Sequence, residues 1–235
     1  MGATEQSRRP QGFRLRVVTF DLFSALTDSR RGGSAVFDEL ARERGWAVSG
    51  EQLYDEWDRR NKEAQRLVDL REQWVSFASI SRDALDAAYS ALGLSADPDA
   101  DIARVQAGVA DWPLWPDVAE GLAAVSEHAR IGILSNVDDA LARTTRAYAL
   151  VDPDLVLSSE RLGAYKPDPA IYRRARNLLG EEVVHVAASA RDVRGALESG
   201  ISTVRLVRPG HRLDPDGPVP TAVVNTVGEL ALRAF

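Results

Sequence analysis

Cysteine is absent from this 235-residue chain. That excludes a thiolate nucleophile, thiolate metal ligands and a disulfide framework. Histidine is scarce, and the three present (His128, His185 and His211) are too scattered to suggest a zinc site. There is no excess of positive charge: the formal net charge is -6, which argues against a nucleic-acid or anionic-membrane partner. No apolar run approaches the ~18 residues of a membrane-spanning helix. Residues 1–12 are polar, without the apolar stretch of a secretory signal, and read as a frayed tail. Also missing are a Gly-x-Gly-x-x-Gly or Gly-Lys-Ser/Thr phosphate loop, a Gly-x-Ser-x-Gly elbow and a His-Glu-x-x-His helix. What remains is an ordinary globular mixture, 45% hydrophobic and 27% charged, long enough to bury a large core. The expectation is a soluble, cytoplasmic protein acting on a small molecule, with neither nucleic acid nor membrane as partner.

The chain alternates strand and helix signals. Residues 15–20 (LRVVTF) form a β-rich apolar run of the kind buried on both faces of a parallel sheet. Helical patterns follow over 34–44, 50–70, 82–92 and 99–110, with stops at Gly45, Gly50, Gly93 and Asp97-Pro98. After Trp112-Pro113 and Trp115-Pro116, strands at 130–134, 155–157, 183–187, 203–207 and 222–224 alternate with helices at 117–128, 138–147, 169–179 and 192–199. That rhythm implies right-handed βαβ units. The predicted fold is α/β: a doubly wound, Rossmann-like parallel sheet (residues 13–27 and 112–235) with an inserted all-helical cap (28–111). Gly32-Gly33 and the Trp-Pro steps are expected to hinge the cap.

In such sheets ligands bind outside the carboxyl ends of the strands, so the residues there are the candidates. Asp21 follows the first strand, placed to be a nucleophile or metal ligand; an N-cap is the plain alternative. Ser135 and Asn136 follow the second, able to hold an anionic group or to start the next helix. Lys166 sits in the loop after the third strand and could keep a carboxylate ionised; in a chain that favours arginine this lysine is informative. Asp192 follows the fourth, to position water or to cap a helix. Most of the tryptophans (Trp46, Trp57, Trp74, Trp112 and Trp115) read as packing, with one or two facing a pocket.

The order Asp, Ser-Asn, Lys-Pro, Asp behind successive strands resembles the four signature motifs of the haloacid dehalogenase superfamily, from about Phe13 to the C-terminus. Metal-dependent phosphatases of that superfamily carry a second acid two residues after the nucleophile and another before the last motif. Here those positions are Phe23 and Ala188. The aromatic residue, the cap segment Trp74 to Leu85 and Tyr172 resemble the 2-haloacid dehalogenase branch. That resemblance implies no cofactor, a substrate held by Phe23, Ser135, Asn136 and Tyr172, and a homodimer formed through the cap.

Departures from the branch are specific. Asp58 stands where the dehalogenases carry an arginine for the halide and carboxylate. Ala25 replaces a threonine, and Ala187 and Ser189 replace a serine and an asparagine. An acid at position 58 would repel an anionic substrate. Three readings stay open. One is a metal-free hydrolase using Asp21 covalently, with Lys166 keeping it ionised and Asp192 activating water, on a substrate other than a simple 2-haloacid. The others are a Mg²⁺-dependent phosphatase with an unusual metal site and a catalytically silent binding protein.

Overall fold

The computed structural model describes residues 16–68, 74–180 and 182–233; the expected tail, and the far end of the helix expected over 50–70, lie outside these. The first strand, β1 (Arg16–Phe20), alternates its burial between two faces. Val18 and Phe20 enter the largest apolar cluster, while Val17 packs against a second cluster and Thr19, also fully buried, meets His185. Period-two alternation with both faces covered marks a central strand of a parallel sheet. It lies in the middle of six parallel strands: β2 (Ala129–Ser135), β3 (Val156–Ser158), β4 (Val184–Ala187), β5 (Ser202–Leu206) and β6 (Ala222–Val224) complete the sheet, in the order β3-β2-β1-β4-β5-β6. Phe20 is in register with Ile133 on one side and Val186 on the other. The chain winds outward from β1 to β3, then returns to β4 on the opposite flank. The crevice beyond β1 and β4 is therefore the topological switch point.

Between β1 and β2 come α1 (Ser29–Arg44), α2 (Gly50–Val68), α3 (Phe77–Leu92) and α4 (Pro98–Gly108). They form the inserted helical cap, whose own core joins Phe37, Leu40, Leu53, Trp57, Leu85 and Val105. The strand layer carries α5 (Val118–Ser126), α6 (Asp139–Thr144), α7 (Ser159–Leu162), α8 (Pro169–Leu179), α9 (Ala190–Glu198) and α10 (Gly228–Arg233). α5 and α10 cover the Val18–Phe20 face, and α8 and α9 cover the other. None of these helices, among the described residues, is long and apolar enough to cross a membrane.

The predicted start of the first helix, at 34, is five residues late. Asp28 accepts the Arg31 backbone N–H at 3.2 Å and caps the helix at Ser29. Gly32 and Gly33 lie inside α1, both buried. A Cβ on Gly32 would collide with the Trp112 ring, and one on Gly33 with the Tyr54 ring. The pair is there for close approach, not as a free hinge.

Candidate active site

The turn after β1 places Asp21. Residues Leu22–Leu26 make one wide helical turn, closed by Thr27 N–H donating five residues back to Leu22 O at 2.9 Å. Such π-type turns recur at functional sites. Asp21 caps this turn: its Oδ2 accepts from Ser24 N (2.9 Å) and Ser24 Oγ (2.5 Å). Its Oδ1 accepts from Lys166 Nζ at 2.7 Å and Ser135 Oγ at 3.1 Å.

Lys166 comes from the loop before α8, where Asn136 fixes it. Asn136 Oδ1 accepts the Lys166 N–H at 2.7 Å, and Asn136 Nδ2 donates to Lys166 O at 3.0 Å. The Lys166 ammonium spends all three donors, on Asp21 Oδ1, on Asp192 Oδ2 (2.5 Å) and on Leu134 O (2.9 Å). Asp192, in the first turn of α9, is 2% exposed. Its Oδ1 accepts from Tyr172 OH at 2.8 Å and lies 3.2 Å from His185 Nε2; His185 Nδ1 lies 3.0 Å from Thr19 Oγ1. Thr19, His185, Asp192, Lys166 and Asp21 thus form one buried chain of polar contacts across the switch point.

Burial pushes both carboxyls up, but Lys166, together with Ser24 at Asp21 and His185 at Asp192, outweighs it and both stay below the ordinary aspartate range. Burial pushes the Lys166 ammonium down, and the two carboxylates carry it above its ordinary value. The centre is charged as Asp⁻–Lys⁺–Asp⁻ at neutral pH.

A cavity of about 940 Å³ opens above this centre, between the strand ends and the helical cap. Phe23, Ser135, Asn136, Asp58 and Ser189 all line it with Asp21, Lys166 and Asp192. Phe23 stacks on Phe77 (6.2 Å between centroids) and meets Trp112 edge-on (5.9 Å). Two expectations need correction. Tyr172, read as a substrate-holding group, is fully buried beneath Asp192 and does not line the cavity; burial and Asp192 hold its phenol far above its ordinary value, so it serves as a donor to Asp192. Asp192 has both oxygens engaged and a depressed pKa, which suits holding Lys166 better than taking a proton from water.

Other residues were not singled out in the sequence. Ser24 is an unremarked serine in a turn, and His185 reads as a core residue. Arg191 is half-buried; its Nη2 donates to Lys166 O (2.7 Å) and Gln65 Oε1 (2.9 Å), and it lines the cavity. The apolar stripe of α2 turns polar at Asn61, which donates to Ser81 Oγ, and at Gln65, which accepts from Asn136 at the end of β2. That switch of character on a buried face was the available signal. Asp58, one turn earlier on α2, is ion-paired with Lys62. Of the five tryptophans, Trp57, Trp112 and Trp115 line the cavity.

A divalent cation does not fit this donor set. Hard cations take several oxygen ligands, and the only carboxylates at the centre are Asp21 and Asp192. Neither Ala188, which is fully buried, nor Phe23 offers a side-chain oxygen. Among the described residues no group of three or more potential metal-binding side chains occurs.

A helical cap thus lies over a doubly wound sheet, with an Asp–Lys–Asp centre at its switch point. Comparison with known proteins gives the family. The profile of the haloacid dehalogenase-like hydrolases matches residues 15–200. (S)-2-haloacid dehalogenase 4A of Burkholderia cepacia is 30% identical over 222 residues, covering 92% of this chain and 93% of that protein. The (S)-2-haloacid dehalogenase of Xanthobacter autotrophicus is 28% identical over 200 residues, 83% of this chain and 76% of that one. The crystal structure of a defluorinating L-2-haloacid dehalogenase superposes with a TM-score of 0.80 at 25% identity, over 93% of this chain and 94% of the other. The chain belongs to the haloacid dehalogenase-like hydrolases, and it is an enzyme of that superfamily.

Proposed function

We propose that this enzyme hydrolyses a carbon–leaving-group bond through an ester on Asp21, without a metal, on a substrate larger than a simple 2-haloacid. The observation that carries the reading is the Asp21 carboxylate, kept ionised by Lys166 and facing the cavity beside Phe23. An Asp21 oxygen displaces the leaving group from a saturated carbon, and the C–X electron pair departs with X⁻. No proton is required, in keeping with an aromatic rather than an acidic residue two positions on. Water then adds to the Asp21 carboxyl carbon and the acyl C–O bond breaks. Each cycle releases an alcohol, X⁻ and one proton, and restores the carboxylate. Ser135 and Ser24 donate to the Asp21 carboxylate, and Lys166 stabilises the charge that collects there during ester hydrolysis.

The size and charge of the cavity support a substrate beyond the small haloacids. Its volume lies near the top of the ~300–1,000 Å³ range of pockets that take drug-sized ligands. Asp58 leaves no free cation at its position, since Lys62 is spent on it. The positive group beside the centre is instead Arg191, held against Gln65 and the Lys166 carbonyl. We assign to Arg191 the anionic end of the substrate, or the leaving halide.

The test is turnover of a panel of 2-bromo acids and their amides in H₂¹⁸O, scored by halide release and by the mass of the Asp21 peptide. Wild type should acquire ¹⁸O in Asp21, resist EDTA, and fall to background as Asp21→Asn. Arg191→Gln should shift preference from acids towards amides. Unlabelled Asp21 after many turnovers, or turnover abolished by EDTA, would overturn the proposal.

A further inference from the structure

The cations that line the cavity above Asp21 are mostly engaged by carboxylates. Arg30 pairs with Asp55 and Glu51, Lys62 with Asp58, and Lys166 with Asp21 and Asp192. Arg191 is held differently. Among the described residues its hydrogen-bond acceptors are all neutral: Gln65 Oε1 (2.9 Å), Lys166 O (2.7 Å) and, at the limit of contact, Lys62 O (3.5 Å). The carboxylate next in sequence, Asp192, engages Lys166, Tyr172 and His185 instead.

Gln65, on the cap helix α2, makes this neutral arrangement possible. Its Oε1 also accepts from Asn136 Nδ2 (2.8 Å), and the same nitrogen donates to Lys166 O (3.0 Å). Two carbonyl oxygens and two NH2 nitrogens therefore alternate round a closed ring through Gln65, Asn136, Lys166 and Arg191. Each nitrogen carries two protons, and the ring takes both. The far side of the Gln65 amide is fixed as well. Its Nε2 donates to Asn61 Oδ1 (3.1 Å), and Asn61 Nδ2 donates to Ser81 Oγ (3.2 Å). A reversed amide would set one NH2 against two others, so the oxygen is the atom that faces Asn136 and Arg191. Gln65 and Asn136 are buried, whereas Arg191 stays half-buried on the cavity wall. A carboxylate at position 65 would accept the same two donors more strongly. It would also cancel the charge of Arg191, which a carboxamide leaves in place.

We propose that Gln65 is a positioning residue that sets substrate preference: its neutral oxygen fixes Arg191 at the cavity wall without neutralising it, so the enzyme selects a substrate with an anionic end. This rests on the Asp21 ester reading, in which Arg191 takes that end, and adds the cap residue that keeps Arg191 able to do so.

Two substitutions separate charge from anchorage. Gln65→Glu keeps the acceptor and cancels the charge, and Asn61 can turn its amide to donate to the new carboxylate. Gln65→Leu keeps the charge and removes the acceptor. Halide release from 2-bromohexanoate and 2-bromohexanamide reads both, and wild type should favour the acid. Gln65→Glu should lower the acid-to-amide ratio of kcat/KM about 10-fold or more, through KM for the acid, because Arg191 no longer offsets the substrate's charge. The amide should stay within about threefold of wild type, a split that a merely structural role for Gln65 would not give. Gln65→Leu should instead lower acid and amide together. A binding arm needs no turnover. On Asp21→Asn, calorimetric titration with hexanoate should show binding that Gln65→Glu and Arg191→Gln each weaken about 10-fold. An unchanged ratio in Gln65→Glu, or an equal loss for acid and amide, overturns the proposal. So does a ratio that falls as far in Gln65→Leu, which would make anchorage rather than charge the cause. A wild type that prefers the amide, or hexanoate binding that is absent or indifferent to either substitution, overturns it too. If neither bromo compound turns over, the binding arm decides by itself, and the Asp21 ester reading fails separately.

Discussion

At the scale of single residues, Lys166 decides the chemistry of the centre. It holds two buried carboxylates with one ammonium, so Lys166→Met leaves two buried acids without the ammonium that bridges them. Breaking a buried pair by removing one partner costs about 3–5 kcal/mol, and the pH dependence should change sign. In wild type the folded pKa values of Asp21 and Asp192 lie below their unfolded ones. Their contribution to stability is therefore complete above the unfolded value, near pH 4, and is lost as pH falls towards the folded pKa. Without Lys166, burial and mutual repulsion dominate and both folded values rise. The variant should then lose stability as pH climbs from about 4 to 7, where wild type does not. Urea denaturation of both proteins across that range reads the difference directly; parallel pH profiles would mean that Lys166 does not set these carboxylates. The members of this centre were legible because each follows a strand and each is a poor fit to a buried loop unless paired. Ser24, Arg191 and Gln65 were not, since a serine in a turn and polar groups near a helix end look the same whether they face solvent or a reacting carboxylate.

At the scale of elements, legibility followed local chemistry. α8 runs over the predicted 169–179 because Asp168 caps it, Pro169 fits its first turn and Gly180 ends it. α1 did not, because Gly32-Gly33 has the local signature of a break and the reason for it is tertiary: Trp112 and Tyr54 sit against the helix where side chains would be. The same contacts give a prediction. Gly32→Ala improves helix propensity yet drives a methyl into the Trp112 ring, and overpacking of this kind costs about 1–3 kcal/mol. Gly228→Ala, at the first residue of α10 with nothing within 4 Å of its added Cβ, should be neutral or stabilising by up to ~1 kcal/mol. Thermal unfolding of the two variants beside wild type checks the contrast. A stabilised Gly32→Ala would return that glycine pair to the role of a flexible hinge.

At the scale of the whole molecule, the question is what fixes the cap over the strand layer. The chain leaves at Thr27 and returns at Leu114, and those two residues pair across the crossing. Asp28 N–H donates to Pro113 O at 2.9 Å and Trp115 N–H to Leu26 O at 3.0 Å. Arg208, buried beyond β5, then pins the crossing from the side. Its Nε and Nη2 donate to Ala25 O (3.0 and 2.9 Å), and its Nη1 to Asp117 Oδ1 (2.7 Å). Asp117 in turn accepts the Val227 N–H at 2.8 Å, which ties in the segment before α10. One guanidinium therefore joins the turn carrying Asp21, the returning chain and the last strand–helix unit. Arg208→Met keeps much of the apolar stem but leaves Ala25 O and Asp117 without their donor. Because Asp117 is partly open to solvent and keeps the Val227 contact, the global cost should be about 2 kcal/mol, below that of a fully buried pair. The local effect should be larger. Amides of Leu26, Thr27 and Trp115 should exchange hydrogen markedly faster than in wild type, while those within α1 to α4 keep their relative protection, since the cap has its own core. Uniform acceleration across cap and strand layer would instead mean that the two unfold as one unit. In that case the paired crossing would not be a separate point at which the cap can loosen over Asp21.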